Sequence, residues 1–273
     1  MIVFPNCKIN LGLHILQKRS DGFHDLETIF YPIPIQDALE IIPIDTKESE
    51  LVFTASGLPV DGTLESNICY KAYHLLKRQF PQLPSIKMHL HKRIPMGAGL
   101  GGGSADGAYT LLALNKKFNL GLSESALIDL SLQLGSDAPF FIANKPAYAT
   151  ARGEQLAFID LDLSMYRVFI VNPKIHINTA WAFSQITPNG NRPSLKQLIQ
   201  SPLSEWKDWL MNDFEAPIFQ AYPEIASIKK AFYRSGALYA AMTGSGSTVY
   251  GIFPKDAELT NLPFPDHYFV KEV

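Results

Sequence analysis

A chain of 273 residues, 47% of them hydrophobic, carries ample material for a buried core and has room for two modest domains. Lys and Arg total 24 against 26 Asp and Glu, a net charge of −2, so no overall positive field holds a nucleic-acid backbone and no nucleic-acid partner is expected. The two cysteines, Cys7 and Cys69, cannot build a disulfide framework and no CxxC pair marks a zinc site; as buried small hydrophobes they suit a reducing cytoplasm.

The opening MIVFPNCKIN is interrupted by Pro5 and Asn6 where a signal peptide needs a continuous apolar run. The most apolar window elsewhere, 125–143, contains Asp129, Gln133, Asp137 and Pro139, which are costly in a bilayer. A soluble chain with no membrane partner is expected.

KINLGLHILQ, from Lys8 to Gln17, alternates residue types as a strand does, and Ser20-Asp21-Gly22 supplies a hairpin turn. A second β-rich stretch, Leu26 to Ile44, is broken by Pro32, Pro34 and Pro43, which points to edge or bulged strands; a third runs from Glu50 to Ala55. Ser66-Asn67 caps a helix reaching about Arg78, with Ile68, Ala72, Leu75 and Leu76 at helical spacing. IKMHLH, 86–91, alternates as a strand directly before a glycine-rich run, and a helix follows that run to about Lys117. Ser123 caps a further helix ending at Gly135, and Ser136-Asp137-Ala138-Pro139 reads as a short polar connection. A strand pair is expected in AYATARGEQLAFI and YRVFIVNP, then helices around Ala180, Leu195, Trp206 and Ile225, and last a strand–glycine turn–strand in ALYAAMTGSGSTVYGIF. The composition shift sets a domain boundary near 155, giving domains 1–155 and 156–273.

The glycine-rich run, Pro95-Met96-Gly97-Ala98-Gly99-Leu100-Gly101-Gly102-Gly103-Ser104-Ala105, carries five glycines in seven residues and opens into a helix. Bare backbone N–H groups and the positive end of a helix dipole together make a phosphate site. The string also satisfies GxGxxG, which dinucleotide-binding folds and protein kinases share. A dinucleotide site wants an acid about twenty residues on, at a strand end, whereas Glu124 here opens a helix. No HRD or DFG follows, as a protein kinase requires, and no Lys follows Gly102 as a P-loop requires. A tight turn packing a helix on a sheet is the remaining structural alternative.

With Pro95 before it and Ser104-Ala105 after it, the run resembles the second motif of the GHMP kinase superfamily, named for galactokinase, homoserine, mevalonate and phosphomevalonate kinases. Lys8-Ile9-Asn10-Leu11 resembles the first motif and Met242-Thr243-Gly244-Ser245-Gly246-Ser247 the third, a glycine loop that packs beside the phosphate loop. PNCKINLGLHILQKRSDGFHDLETIF, the segment 134–141 and Asn212-Asp213-Phe214-Glu215 extend the resemblance over about 5–252. It implies an α+β, two-domain fold: an N-terminal ribosomal-protein-like α/β domain and a C-terminal ferredoxin-like α/β sandwich, with substrates between them. It also implies ATP- and magnesium-dependent phosphorylation of the 2-hydroxyl of diphosphocytidyl methylerythritol, in isoprenoid biosynthesis. Mevalonate or homoserine is the alternative acceptor, and a dinucleotide-dependent oxidoreductase the alternative chemistry.

The resemblance makes Asp137 the base that takes the hydroxyl proton; read without it, Asp137 equally makes a local turn hydrogen bond. Lys8, which alone reads as a surface lysine, becomes the ammonium that lowers the hydroxyl's pKa and keeps Asp137 ionised. Asn10, two residues along the same strand face, is placed against the sugar alcohol. Phe23 and His24 suit stacking on and hydrogen bonding to a pyrimidine, with Phe23 standing where the family usually has Tyr. Thr179 matches a substrate contact, and a helix cap is its structural alternative. Asn67 and Lys92 match adenine-side residues; read alone, they are a helix cap and a solvated strand-end charge. Ser104 is placed at a phosphate or the magnesium, and Asp106 at the helix dipole. No protein metal cage is expected, because the nucleotide phosphates carry the magnesium.

Overall fold

The computed structural model describes residues 1–45, 50–257 and 264–273. Its first half runs β1 (Ile2–Val3), β2 (Asn6–Lys18), β3 (His24–Gln36), β4 (Ala38–Pro43), β5 (Leu51–Gly57), α1 (Ile68–Gln79), β6 (Ile86–Lys92), α2 (Gly102–Lys117), α3 (Glu124–Leu132) and α4 (Ala138–Ala143). The second runs β7 (Ala147–Thr150), β8 (Gln155–Phe158), β9 (Tyr166–Asn172), α5 (Thr179–Ser184), α6 (Leu195–Leu198), α7 (Trp206–Trp209), α8 (Glu215–Ala221), α9 (Pro223–Arg234), β10 (Tyr239–Met242), β11 (Val249–Pro254) and β12 (Phe269–Glu272). The mixture is the expected α+β class.

Contacts gather the chain into two units built from alternating segments: 1–7, 34–96 and 101–145 in the first, and 8–33, 97–100 and 146–273 in the second. The first holds a sheet of order β1-β4-β6-β5. Only β5 and β6 run parallel, which requires a crossover, and α1 provides it. In β6 the alternate row Ile86, Met88, Leu90 and Lys92 is buried, while Lys87 and His91 are exposed. The Asn67 side chain caps α1 by accepting from Cys69 N, and Cys69, Ala72, Tyr73 and Leu76 form its buried stripe. That helix lies against α2, which in turn lies against β4.

The second unit holds two sheets, β2-β3-β7-β8 and β10-β11-β9-β12. Its core joins Leu13 and Ile15 of β2 to Phe169 and Val171 of β9, Phe214, and Ile225, Ile228 and Phe232 of α9. Each such side chain contributes about 1.5–3 kcal/mol when fully buried.

β2 forms the expected strand and is buried on both faces from Asn6 to Ile15. Three expectations change. β3 is not an edge strand: it lies between β2 and β7, and its ladder to β7 covers Thr28–Phe30, short of Pro32 and Pro34. AYATARGEQLAFI is itself a hairpin, β7 and β8, turned through Ala151 at φ 59°, whereas YRVFIVN is β9 and pairs with β11 and β12 in another sheet. Ala138-Pro139 opens α4, where proline is tolerated because the first helical N–H groups lack partners anyway, so the connection from α3 ends at Asp137.

Candidate active site

Gly97, Gly99 and Gly101 adopt φ of 65°, 81° and 71°, a left-handed backbone that glycine reaches without a Cβ clash. Close approach constrains two of the loop glycines further. A Cβ on Gly99 would stand 1.9 Å from the Thr243 carbonyl oxygen, and one on Gly246 would stand 2.2 Å from the Ala98 carbonyl carbon. The two glycine loops are thus in backbone contact, as the resemblance implied. Gly103, in the first turn of α2, has open space where a Cβ would be.

Both ends of the first loop are tied by one buried cluster. Lys92 Nζ donates to Asp37, and to Asp106 Oδ2 at 2.7 Å. Asp37 Oδ1 accepts from Arg93 N at 2.5 Å and Ile94 N at 2.9 Å, the first backbone amides after β6. Asp106 lies one turn into α2, and its Oδ1 is buried without a partner. Burial works against the Lys92 charge, but the two carboxylates outweigh it and raise its pKa. For Asp106 burial prevails over the lysine, with Asp37 adding to it, and the carboxyl is pushed up to about 7.

Lys8 is also buried, and its Nζ donates to Asn10 Oδ1 at 2.6 Å, with its ammonium 5.0 Å from the Phe30 ring centre. Asn10 Nδ2 donates to Thr28 Oγ1 at 2.9 Å, and Lys8 N donates to the Leu100 carbonyl at 3.0 Å. The reading of Lys8 as a surface lysine falls on its burial. In the third loop, Asn212 Nδ2 donates to the Met242 and Gly244 carbonyls at 3.0 and 2.9 Å. Asp213 accepts from Ile15 N at 2.7 Å and pairs with Arg192, and Glu215 accepts from Met242 N at 2.8 Å. The NDFE segment therefore fixes where the loop sits relative to β2.

The family described as GHMP kinases N terminal domain matches residues 67–145, and GHMP kinases C terminal matches 194–262. A 4-diphosphocytidyl-2-C-methyl-D-erythritol kinase of Bacteroides fragilis is 49% identical over 97% of this chain and 96% of its own length. One from Parabacteroides distasonis is 47% identical over 93% and 92%. The chain belongs to the 4-diphosphocytidyl-2-C-methyl-D-erythritol kinases, a branch of the GHMP kinases.

A crystal structure of 4-(cytidine 5'-diphospho)-2C-methyl-D-erythritol kinase superposes with a TM-score of 0.78 at 30% identity, covering 92% of this chain and 90% of that one. The mevalonate kinase of Methanococcus jannaschii, at 15% identity and a TM-score of 0.74 over 100% of this chain and 97% of its own, shares the fold. The two-domain GHMP kinase fold stands, and the chain is a small-molecule kinase. The dinucleotide alternative falls on topology as well. A dinucleotide unit leads from the helix back to a parallel strand beside the first, whereas α2 here is followed by α3, α4 and then β7, in a different sheet.

Within this GHMP kinase the other anticipated residues are distributed as follows. Asp137 is half-buried at the boundary of α4. In the same segment a Cβ on Gly135 would lie 3.8 Å from Ser104 Oγ in the first turn of α2. Phe23 is 54% exposed, with the Arg152 guanidinium 5.0 Å from its ring centre, and His24 stacks on Phe183 at 4.9 Å and 21°. Burial, helped by Lys18, lowers the His24 pKa and keeps it neutral at physiological pH. Thr179 does not cap α5; Asn178 does, by accepting from Trp181 N, which leaves Thr179 Oγ1 3.3 Å from Ser245 Oγ of the third loop. Asn67 caps α1 through its side chain, and Lys92 is an internal ion-pair partner rather than a solvated strand end. Sequence reasoning missed Asp37, Arg152 and Phe183. Asp37 is brought opposite Lys92 by the β4–β6 register that pairs Ala38 with His91, a long-range pairing that no local motif signals.

Proposed function

We propose that this kinase transfers the terminal phosphoryl group of ATP to the 2-hydroxyl of 4-diphosphocytidyl-2-C-methyl-D-erythritol, giving the 2-phosphate and ADP on the methylerythritol phosphate route to isoprenoid precursors. The observation that carries the reading is the 49% identity to a kinase of that name over nearly the whole chain. Phosphoryl transfer passes through a loose transition state, so alignment and charge stabilisation supply most of the catalysis.

The loop 95–105 is assigned the nucleotide phosphates, supported by its bare backbone and the N-terminus of α2. Asp137 takes the hydroxyl proton, while the Lys8 ammonium, held by Asn10, stabilises the developing alkoxide. Phe23 and His24 receive the cytosine, supported by an exposed ring and a neutral imidazole; Thr179 adds a substrate hydroxyl contact. Asn67 and Lys92 are assigned the adenine side through their backbone, since both side chains are engaged internally. Magnesium arrives on the ATP phosphates, whose charge it neutralises, with the Ser104 hydroxyl at the mouth of α2.

The domain boundary is proposed near 155, which the two family matches, 67–145 and 194–262, straddle. Among the described residues no helix is long and apolar enough to cross a membrane. A cytoplasmic location is proposed on the two buried cysteines, Cys7 and Cys69. The test is ADP release with diphosphocytidyl methylerythritol, mevalonate and homoserine as competing acceptors. Turnover confined to the first supports the assignment; preference for either of the others overturns it.

A further inference from the structure

Thr243 is fully buried in the third glycine loop, and its hydroxyl is the meeting point of three chain segments. Oγ1 accepts the Asn10 N–H at 3.1 Å. It also lies 3.0 Å from Asn10 Oδ1 and 3.0 Å from the Gly99 carbonyl, both acceptors for its proton. A hydroxyl carries one proton, so it serves one of those acceptors at a time. Asn10 Oδ1 already receives the charge-assisted bond from Lys8 Nζ at 2.6 Å, whereas Gly99 sits in the phosphate loop. The Asn10 carbonyl is held separately, by Tyr250 OH at 2.7 Å. The amide end of Asn10 thus lies against the side chains of Lys8, Thr28 and Thr243, and of these three side chains it is that of Thr243 that also reaches the phosphate loop, whereas Lys8 meets the loop through its backbone N–H, which donates to the Leu100 carbonyl.

We propose that Thr243 is a positioning residue for phosphoryl transfer: its hydroxyl couples the glycine loop at Gly99 to the Lys8–Asn10 pair, so that the ammonium and the phosphate loop hold one mutual register. The inference rests on the functional reading of Lys8 and of the loop given above. A residue of this kind acts on the alignment of bound reactants rather than on their capture, because misplacement by a fraction of an ångström costs rate steeply. Threonine is also the residue for which chemistry and shape separate cleanly. Thr243→Val keeps the volume and loses the hydroxyl, and Thr243→Ser keeps the hydroxyl and loses a methyl group.

The experiment compares the wild type with Thr243→Val and Thr243→Ser in three measurements: steady-state kinetics on diphosphocytidyl methylerythritol, calorimetric binding of a non-hydrolysable ATP analogue, and amide hydrogen exchange at Asn10. For the valine variant kcat falls about tenfold or more while analogue affinity and KM stay within about threefold, and Asn10 exchange accelerates about tenfold, the scale expected for one buried hydrogen bond. Serine restores kcat and exchange to within about threefold of wild type. The coupling is overturned if valine retains full kcat, if serine is as impaired as valine, or if the loss appears wholly in nucleotide affinity. Should the valine variant not fold, Thr243→Ala against Thr243→Ser makes the same comparison, and equal rates for the two overturn it. A wild-type chain inactive on this alcohol contradicts the functional reading instead; the exchange rate of Asn10 then still tests whether the hydroxyl holds it.

Discussion

Gly246 and Gly99 approach so closely that a Cβ on Gly246 would stand 2.4 Å from Gly99 N, inside any permitted contact. Both neighbours are backbone, so neither yields by a rotamer change. Gly246→Ala therefore displaces the phosphate loop, and kcat/KM for ATP is expected to fall by about ten- to a hundredfold, the scale of about 1–3 kcal/mol that overpacking costs. Steady-state kinetics at varied ATP, with a thermal melt to confirm folding, checks it; an unchanged kcat/KM would show that the loops tolerate separation.

Gly103 gives the opposite steric forecast within the same run. Its site for a Cβ is open and its backbone helical, so Gly103→Ala should raise stability by up to about 1 kcal/mol through helix propensity. The same methyl group occupies the space above the amide N–H groups assigned to phosphate, so ATP affinity should drop about tenfold or more. Denaturant melts paired with ATP-analogue titration test the two signs together. A variant that binds ATP normally would move the phosphates away from this turn.

The Lys92 cluster sets a pH dependence. Asp106 has its carboxyl raised to about 7 in the folded chain, chiefly by burial, against an ordinary value of 3.8. Between those values the folded form holds a proton that the unfolded form has lost, so this group's contribution to stability is present below pH 3.8 and declines as pH rises through about 7. Asp106→Asn removes the titration, and its unfolding free energy should fall less than that of wild type from pH 5 to 8, a window set by that raised carboxyl. Parallel slopes in urea melts across the range would contradict it.

Glu27 predicts the reverse slope in acid. Burial would raise its pKa, but bonds from His14, Tyr148, the Leu195 amide and Ser194 outweigh it and hold the carboxyl down at about 2, against 4.5. Its contribution is complete above pH 4.5 and is lost as pH falls toward 2, while the unfolded form takes up the proton first. Glu27→Gln should destabilise the chain at neutral pH by about 1–3 kcal/mol, the cost of weakening a buried charged network, and flatten the acid arm below pH 4.5. Melts from pH 2.5 to 7 would show a persistent acid slope if other carboxylates dominate.

Helices and strands with strong periodicity were legible from the chain: α1 with its Asn67 cap, α2, and β6 with its alternation all lie where spacing placed them. The misread hairpin of β7 and β8 has a physical cause, since its turn passes through Ala151 at positive φ, a conformation that alanine does not advertise. At the site, local motifs carried the glycine loop and Lys8 with Asn10, which are neighbours in sequence. Pairings across long separations stayed hidden, as with His24 on Phe183 or Asn10 on Thr243. Lys92 was a missed inference of a different kind: IKMHLHK already put it on the buried row with Ile86, Met88 and Leu90.

The central claim is that phosphate from ATP arrives on one particular hydroxyl, with Asp137 taking its proton. The most direct measurement is NMR of the product formed from 13C-labelled diphosphocytidyl methylerythritol and ATP, repeated with Asp137→Asn. The account predicts a new phosphomonoester with phosphorus coupling at C2, and a rate about a hundredfold or more lower in the variant, the scale of general-base loss. Phosphate on another carbon, no transfer at all, or a variant with undiminished turnover would contradict it.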